Sequence, residues 1–343
     1  YNSKWFFFFK SNILLNIIQI LFFINKYVIT IFTFLLGCYF CYVWHKSTPH
    51  TYFTPLRLPF LYIACLKMKK EHGHVKVKER KGKEVVFVKI AIAGGSGFVG
   101  TALIDELSKE NHDIYILTRH PEKFKKQTNL TYIGWLTKEA KPEKHLAGLD
   151  VFINLAGESL NSGRWTPERK RRIVESRVEA SKEMNRIISI LPDKVSVIIN
   201  ASAIGYYGIS DVETFTETSE SIGDDFLART VQLWEKEAAK SRSYSKRLIL
   251  TRFGVILGEK DGALPMMVLP YKLLGGGKMG KGNQWLSWIH IHDAVRAIIF
   301  SMNDARIEGP VNFTAPNPVQ MDTFGKTIGA VLHRPHWLPV PPF

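Results

Sequence analysis

The stretch "VVFVKIAIAGGSGFVG", residues 85–100, decides the fold. Its first part is an apolar run, broken only by Lys89, that ends in glycines. Such a run fits a strand buried on both faces, because a half-buried strand alternates apolar with polar residues. Its second part carries Gly94, Gly97 and Gly100 at three-residue spacing, and residues 98–109 then read as a helix. Strand, glycine turn and helix in this order make a phosphate cradle. The first glycine permits the turn, the second lets a pyrophosphate approach the backbone, and the third lets the helix pack on the sheet. The helix N-terminus, at Phe98 and Val99, offers amides and a positive dipole to the phosphates.

The alternation continues downstream. "DIYILTR" (113–119), "LTYIGW" (130–135), "DVFINLAG" (150–157), "VSVIINAS" (195–202) and "RLILTRFGVIL" (247–257) read as five more strands. Thr166-Pro167-Glu168 opens a helix to about Ile190: Thr caps, Pro suits the first position and Glu suits the positive end. "GDDFLARTVQLWEKEA" (223–238) is an amphipathic helix capped by Asp224 or Asp225. Strands alternating with helices imply an α/β fold, a doubly wound parallel sheet with right-handed crossovers.

After Gly258 the pattern weakens. "GALPMMVLPYKLL" (262–274) suggests a helix interrupted at Pro270. "GGGKMGKGNQW" (275–285) is a loop, "HDAVRAIIFSM" (292–302) a helix, "VNFTA" (311–315) a strand and "MDTFGKTIGAVL" (321–332) a helix. This organisation gives an apolar extension at 1–66, a basic linker at 67–88, a Rossmann-type domain at 89–257 and a partial substrate lobe at 258–343.

The net charge of +15 is unevenly placed. Residues 1–89 hold 14 Lys and Arg against 3 acids, or +11, and residues 90–343 hold 32 against 28, or +4. The mildly basic globular part therefore gives no case for a nucleic-acid partner. Cys38, Cys41 and Cys65 are the only thiols, so residues 90–343 have no disulfide, thiolate nucleophile or Cys-ligated metal. "YVITIFTFLLGCYFCYVW" (27–44) is uncharged and just long enough to span a bilayer. A cleaved targeting segment and translated non-coding sequence compete with a membrane anchor, so a cytoplasmic, an organellar and a membrane-anchored location all stay open. The chain starts at Tyr1 rather than Met, which reads as a fragment or a processed form.

The C-terminal end of the second strand bears on the cofactor. NAD-binding folds place an acid there for the ribose 2′-hydroxyl. Here Asp113 lies at the opposite end, and Thr118-Arg119-His120 occupies the critical place. A hydroxyl and a guanidinium suit a 2′-phosphate, which favours NADP.

At this point the residues resemble the extended short-chain dehydrogenase/reductases. More narrowly, they resemble an atypical branch, the epimerase-family proteins also labelled cell-division-inhibitor-like. The resemblance rests on "NLAGESL" (154–160), "RWTPERKRRIVESR" (164–177), "SAIGYYG" (202–208), "DDFLARTVQLWE" (224–235), "TRFGVILGEKDGAL" (251–264) and "GNQWLSWIHIHDAV" (282–295). It implies a Rossmann core and an NADP cofactor bordered by Thr118, Arg119, Leu155, Ala156, Gly157 and Arg177, with Ile256 near the nicotinamide end. It also implies further residues beyond Pro339–Pro342, so the lobe is expected to be incomplete.

The superfamily's usual catalytic device is a Tyr-x-x-x-Lys pair on the helix at 223–238. One helical turn puts both side chains on one face; the ammonium lowers the tyrosine pKa, and the tyrosine exchanges a proton with substrate. Aligned by its acidic start, that helix offers Phe226 and Thr230; aligned by Glu235, it offers Leu227 and Val231. No tyrosine of residues 89–343 has Lys four residues on. Ser202 and Tyr206 are the remaining catalytic candidates. Lys170 and Arg172 are expected on a solvated basic face. His290-x-His292-Asp293 reads as a helix cap, so no metal site is expected. Two readings follow. One is an NADP-binding oxidoreductase or epimerase-like protein acting on an unknown small carbonyl, hydroxyl or sugar-type substrate. The other is a non-catalytic NADPH-binding sensor or scaffold.

Overall fold

Among the described residues, eleven strands and six α-helices follow one another as β1 (Lys89–Ala93), α1 (Phe98–Leu107), β2 (Asp113–Thr118), β3 (Leu130–Gly134), β4 (Val151–Asn154), α2 (Pro167–Ile190), β5 (Val197–Ala203), α3 (Phe226–Ala238), β6 (Leu248–Phe253), β7 (Val255–Leu257), α4 (Leu264–Lys272), β8 (Trp285–Leu286), β9 (Trp288–His290), α5 (Ile291–Asn303), β10 (Gly309–Phe313), β11 (Val319–Gln320) and α6 (Met321–Leu332). The computed structural model describes residues 88–125, 128–161 and 163–339. The expected span 27–44, the three cysteines and the extension and linker up to residue 87 lie outside the described residues. Among the described residues no helix is long and apolar enough to cross a membrane.

Seven strands form one parallel sheet in the order β10-β6-β5-β4-β1-β2-β3. β1 shows why its sequence is continuously apolar. Ile90 and Ile92 face Leu103, Ile104 and Leu107 of α1 and Val295 and Ile298 of α5. Ala91 and Ala93 face the opposite core, with Ala180, Met184 and Ile187 of α2. Every side chain of β1 from Ile90 on is thus withdrawn from water, and each isoleucine contributes about 1.5–3 kcal/mol. Thr166 caps α2 by accepting from the Arg169 amide, and Asp225 caps α3 by accepting from Leu227 and Ala228.

Three local expectations change in three dimensions. The run 247–257 is two strands, because β7 leaves the sheet at Gly254 to pair with β9. A Cβ on Gly254 would stand 2.7 Å from the Ser287 carbonyl oxygen, so only glycine lets those chains approach. α4 continues through Pro270 to Lys272. Proline removes one helical hydrogen bond near the helix end, and the Leu273 amide still donates to the Leu269 carbonyl. The boundary at 257/258 is not a structural break. β10 pairs with β6 in the main sheet, and α5 packs beside α1 in the main core. The physical reason is pairing at long sequence separation: β10 supplies the edge β6 requires. Arg247, just before β6, fastens this return by donating to the carbonyls of Ser301, Met302, Asp304 and Ile307. The described residues from Val88 to Pro339 accordingly belong to one compact unit.

Candidate functional site

The glycine loop leaves β1 beside the exit of β2, since Ala93 is level with Leu117. Gly94 has φ +79°, and a Cβ there would stand 2.7 Å from the Leu155 carbonyl carbon and oxygen. The turn and the approach of β1 to the loop after β4 both require glycine. A Cβ on Gly100 would fall into Gly94 O and within 2.7 Å of the Gly95 Cα, so α1 seats directly on the loop backbone. Gly97 differs. It is exposed, it is the N-cap of α1 with no capping side chain, and its Cβ would meet only Gly94 O at 3.3 Å. The α1 amides at Phe98 and Val99 therefore open on a bare backbone ledge, which fits a pyrophosphate.

Leu155, Ala156 and Gly157 form the facing rim. The Leu155 amide donates to the Ala93 carbonyl and the Ala156 amide to Asn154 Oδ1. Asn154 is itself held by Asn200 of β5 at 2.7 Å. Arg177 reaches this rim from below. It donates to the carbonyls of Glu158 and Ile173 and lies 5.2 Å from the Trp234 ring centre. A Cβ on Gly157 would press on its guanidinium at 3.3 Å. Burial lowers the Arg177 pKa to about 10, a loss the nearby Glu158 partly offsets.

Thr118 and the exposed Arg119 end β2 level with Gly134 of β3, while Asp113 pairs with Lys89 at the far end. Phe98 reaches across to the loop after β7. Cβ atoms on Gly258 and Gly262 would stand 2.6 and 2.8 Å from its ring, and Gly262 also abuts the Ile256 carbonyl. Gly94, Gly97, Phe98, Val99, Gly100, Leu155, Ala156, Gly157, Thr118 and Arg119 thus gather at the carboxyl ends of β1, β2 and β4. Ile256 joins them through Phe98, and Arg177 lies beneath.

The catalytic candidates occupy a second cluster. The Ser202 side chain is nearly inaccessible, and its hydroxyl donates to Glu235 Oε1 at 2.5 Å. Glu235 accepts two bonds from Arg252, at 2.9 Å from Nε and 2.8 Å from Nη2. These side chains are 9% and 5% exposed. Burial alone would lower the Arg252 pKa; the bonds from Glu235 and Tyr207 overcome it and hold the guanidinium above its ordinary value. Arg252 Nη1 donates to the Tyr207 hydroxyl, which donates to Asn312 Oδ1. The guanidinium carbon lies 3.7 Å from the centre of the Tyr206 ring. Ser202 therefore presents no free hydroxyl; it belongs to a buried chain that ends beneath Tyr206.

Sequence reasoning missed Glu235 and Arg252, although a signal was present. Arg252 interrupts an apolar strand, and Glu235 follows Trp234 on the buried side of α3. A charge in each place demands a partner. Leu227 of α3 faces the turn after β5, where a Cβ on Gly205 would stand 3.7 Å from the Leu227 Cβ, and Thr230 Oγ1 donates to the Phe226 carbonyl. Lys170 does not stand free on a solvated face: its ammonium lies 5.2 Å from the Phe226 ring centre. Arg172 approaches Glu158 at 3.4 Å. His290 caps α5, with Nδ1 accepting from the His292 amide.

Similarity to known proteins agrees with this layout. Residues 90–313 match the model of the NAD dependent epimerase/dehydratase family. The epimerase family protein YfhF of Bacillus subtilis is 50% identical over 254 residues, covering 74% of this chain and 83% of YfhF. Among solved structures, human epimerase family protein SDR39U1, determined with NADPH, superposes with TM-score 0.63 at 28% identity. The match covers 74% of this chain and 83% of the human one. A nucleoside-diphosphate sugar epimerase from Corynebacterium glutamicum superposes with TM-score 0.60 at 31% identity, covering 74% of this chain and 53% of the other. With its glycine loop and seven-stranded parallel sheet, the chain belongs to the NAD dependent epimerase/dehydratase family as an atypical short-chain dehydrogenase/reductase.

Proposed function

We propose that this protein binds NADP(H) and acts as an oxidoreductase or epimerase-like enzyme on a small carbonyl or hydroxyl substrate. The observation that carries this reading is the crevice where the bare ledge at Gly97, the rim Leu155–Gly157 and the pair Thr118–Arg119 meet. The relative determined with NADPH supports it. The bound cofactor would supply or accept hydride at the substrate carbon. The amides at Phe98 and Val99 bind phosphate oxygens, and Arg119 with Thr118 meets a 2′-phosphate. Arg177 holds the rim from beneath through the Glu158 carbonyl.

Tyr206 is the proposed proton donor in place of the missing pair. Arg252 beneath its ring favours negative charge as the phenol gives up its proton to the substrate oxygen. Ser202 and Glu235 are positioning residues, since they act through Arg252. Incubating the protein with NADPH and a broad carbonyl panel tests this. NADPH should be consumed, and Tyr206→Phe should lower kcat at least about tenfold while NADPH affinity holds. Unchanged kcat would remove Tyr206 from the chemistry. One observation favours the rival sensor reading: neither Phe226 and Thr230 nor Leu227 and Val231 supply the phenol and ammonium of the usual pair. Tight NADPH binding, no turnover and a cofactor-dependent partner or oligomer would establish that reading instead.

Arg119→Ala should weaken NADPH binding about tenfold, the worth of one charge-assisted contact, and leave NADH binding within about twofold. Fluorescence titration with both nucleotides measures this, and equal losses would undo the preference for NADP.

A further inference from the structure

A cavity of about 500 Å³ opens at the carboxyl ends of β5 and β10. One wall is Tyr207 and the loop 208–215; the other is Gln284, Trp285 and Ser287, with Asn312 between them. Tyr207 stacks on Phe215 with ring centres 5.3 Å apart and donates to Asn312, so this side of the cavity is braced. Asp211 and Glu213, both exposed, are the charged residues among the described lining. No Lys, Arg or His side chain is among the described lining residues. The guanidinium of Arg252 bonds Tyr207 and Glu235 from within the protein, and Arg252 is not among the described lining residues. Trp285 is 51% exposed and offers a flat apolar surface.

The nucleoside-diphosphate sugar epimerase among the structural relatives makes nucleotide sugars the first class to weigh. A diphosphate is met in proteins by guanidinium, ammonium or helix-terminal amides. Here it would meet two carboxylates and lose its hydration without compensation. An uncharged or amine-bearing molecule suffers neither penalty, and an aromatic or flat apolar part gains by covering Trp285.

We propose that this cavity is the substrate pocket, and that it selects a small carbonyl or alcohol with a flat apolar part and no anionic group. Nucleoside-diphosphate sugars are then not its substrates. The inference rests on the oxidoreductase reading above for the word substrate, but its test is a binding measurement. Benzyl alcohol, benzylamine, benzoate and UDP-glucose are titrated by saturation-transfer NMR against the full chain saturated with NADPH, which blocks the dinucleotide crevice. Benzyl alcohol and benzylamine should bind at least about fivefold more tightly than benzoate, the effect of like charge at a partly screened site. UDP-glucose should not compete with benzyl alcohol. Asp211→Asn with Glu213→Gln should bring benzoate within about twofold of benzyl alcohol, and Trp285→Ala should weaken all three ring probes.

Four results would overturn the proposal: benzoate or UDP-glucose binding as tightly as benzyl alcohol, a charge order that survives the double substitution, probes indifferent to Trp285→Ala, or no binding by any probe. Failure of the oxidoreductase reading shows differently, as no NADPH consumption with any carbonyl while the charge order among the probes persists.

Discussion

Gly100→Ala is expected to lower stability by about 3 kcal/mol and to weaken dinucleotide binding about 100-fold. The added Cβ would overlap Gly94 O and stand 2.7 Å from the Gly95 Cα. Both are backbone atoms of a tight turn, so no rotamer change relieves the contact. Either α1 tilts away from the sheet, uncovering Leu103 and Leu107, or the loop shifts and the ledge at Gly97 is lost. Two misplaced charge-assisted bonds to phosphate account for the fall in affinity. Gly97→Ala is the matched control. Its Cβ would meet one atom at 3.3 Å, so stability should change by less than about 1 kcal/mol while binding still falls, because the methyl group occupies the approach of the pyrophosphate. Urea denaturation and NADPH titration on both variants separate the effects. A Gly100→Ala protein of native stability would contradict the contact of α1 with the loop, and native affinity in Gly97→Ala would move the phosphates elsewhere.

The second large effect concerns Glu235 and Arg252. Glu235→Leu should cost about 3–5 kcal/mol, because it leaves a buried guanidinium without a countercharge. Arg252→Met should cost a similar amount by stranding the carboxylate. The double variant Glu235→Leu with Arg252→Met should lie within about 2 kcal/mol of the native protein, since apolar residues of similar volume need no desolvation. A double-mutant cycle measured by urea denaturation should therefore show coupling of several kcal/mol between the two sites. Single variants each costing under about 1 kcal/mol would mean that water reaches the pair. The double variant also separates structure from chemistry: it retains the fold but removes the cation under Tyr206, so turnover should fall by the same factor as in Tyr206→Phe.

How far the sequence could be read depended on the kind of signal. The crossover helix α2 was legible to the residue, because Thr166, Pro167 and the apolar period at Ile173, Ala180, Met184 and Ile187 all act within one helix. The glycine loop was legible because each glycine answers to a local demand: a positive φ at Gly94 and a close approach at Gly100. His290 was legible as a cap because its partner lies two residues away. The lobe boundary was not, since β10 joins β6 across more than fifty residues, and no local pattern encodes which edge a strand will extend. The role of Ser202 was not legible either. Its place at the end of β5 made it a candidate to meet a substrate oxygen, but the side it turns to is set by α3, whose Glu235 captures it.

The sequence by itself determined the doubly wound α/β class, the glycine loop, and the absence of a Tyr-x-x-x-Lys pair on α3, because these rest on residue type and short-range spacing. The tertiary structure alone decided that Ser202, Glu235, Arg252 and Tyr207 form one buried chain beside the half-buried Tyr206, and that Asp211, Glu213 and Trp285 line one cavity. Those groupings join residues from different strands, helices and loops. They exist only once apolar burial has closed the sheet, and in that closed interior each buried charge finds its partner because an unpaired one would be too costly to keep.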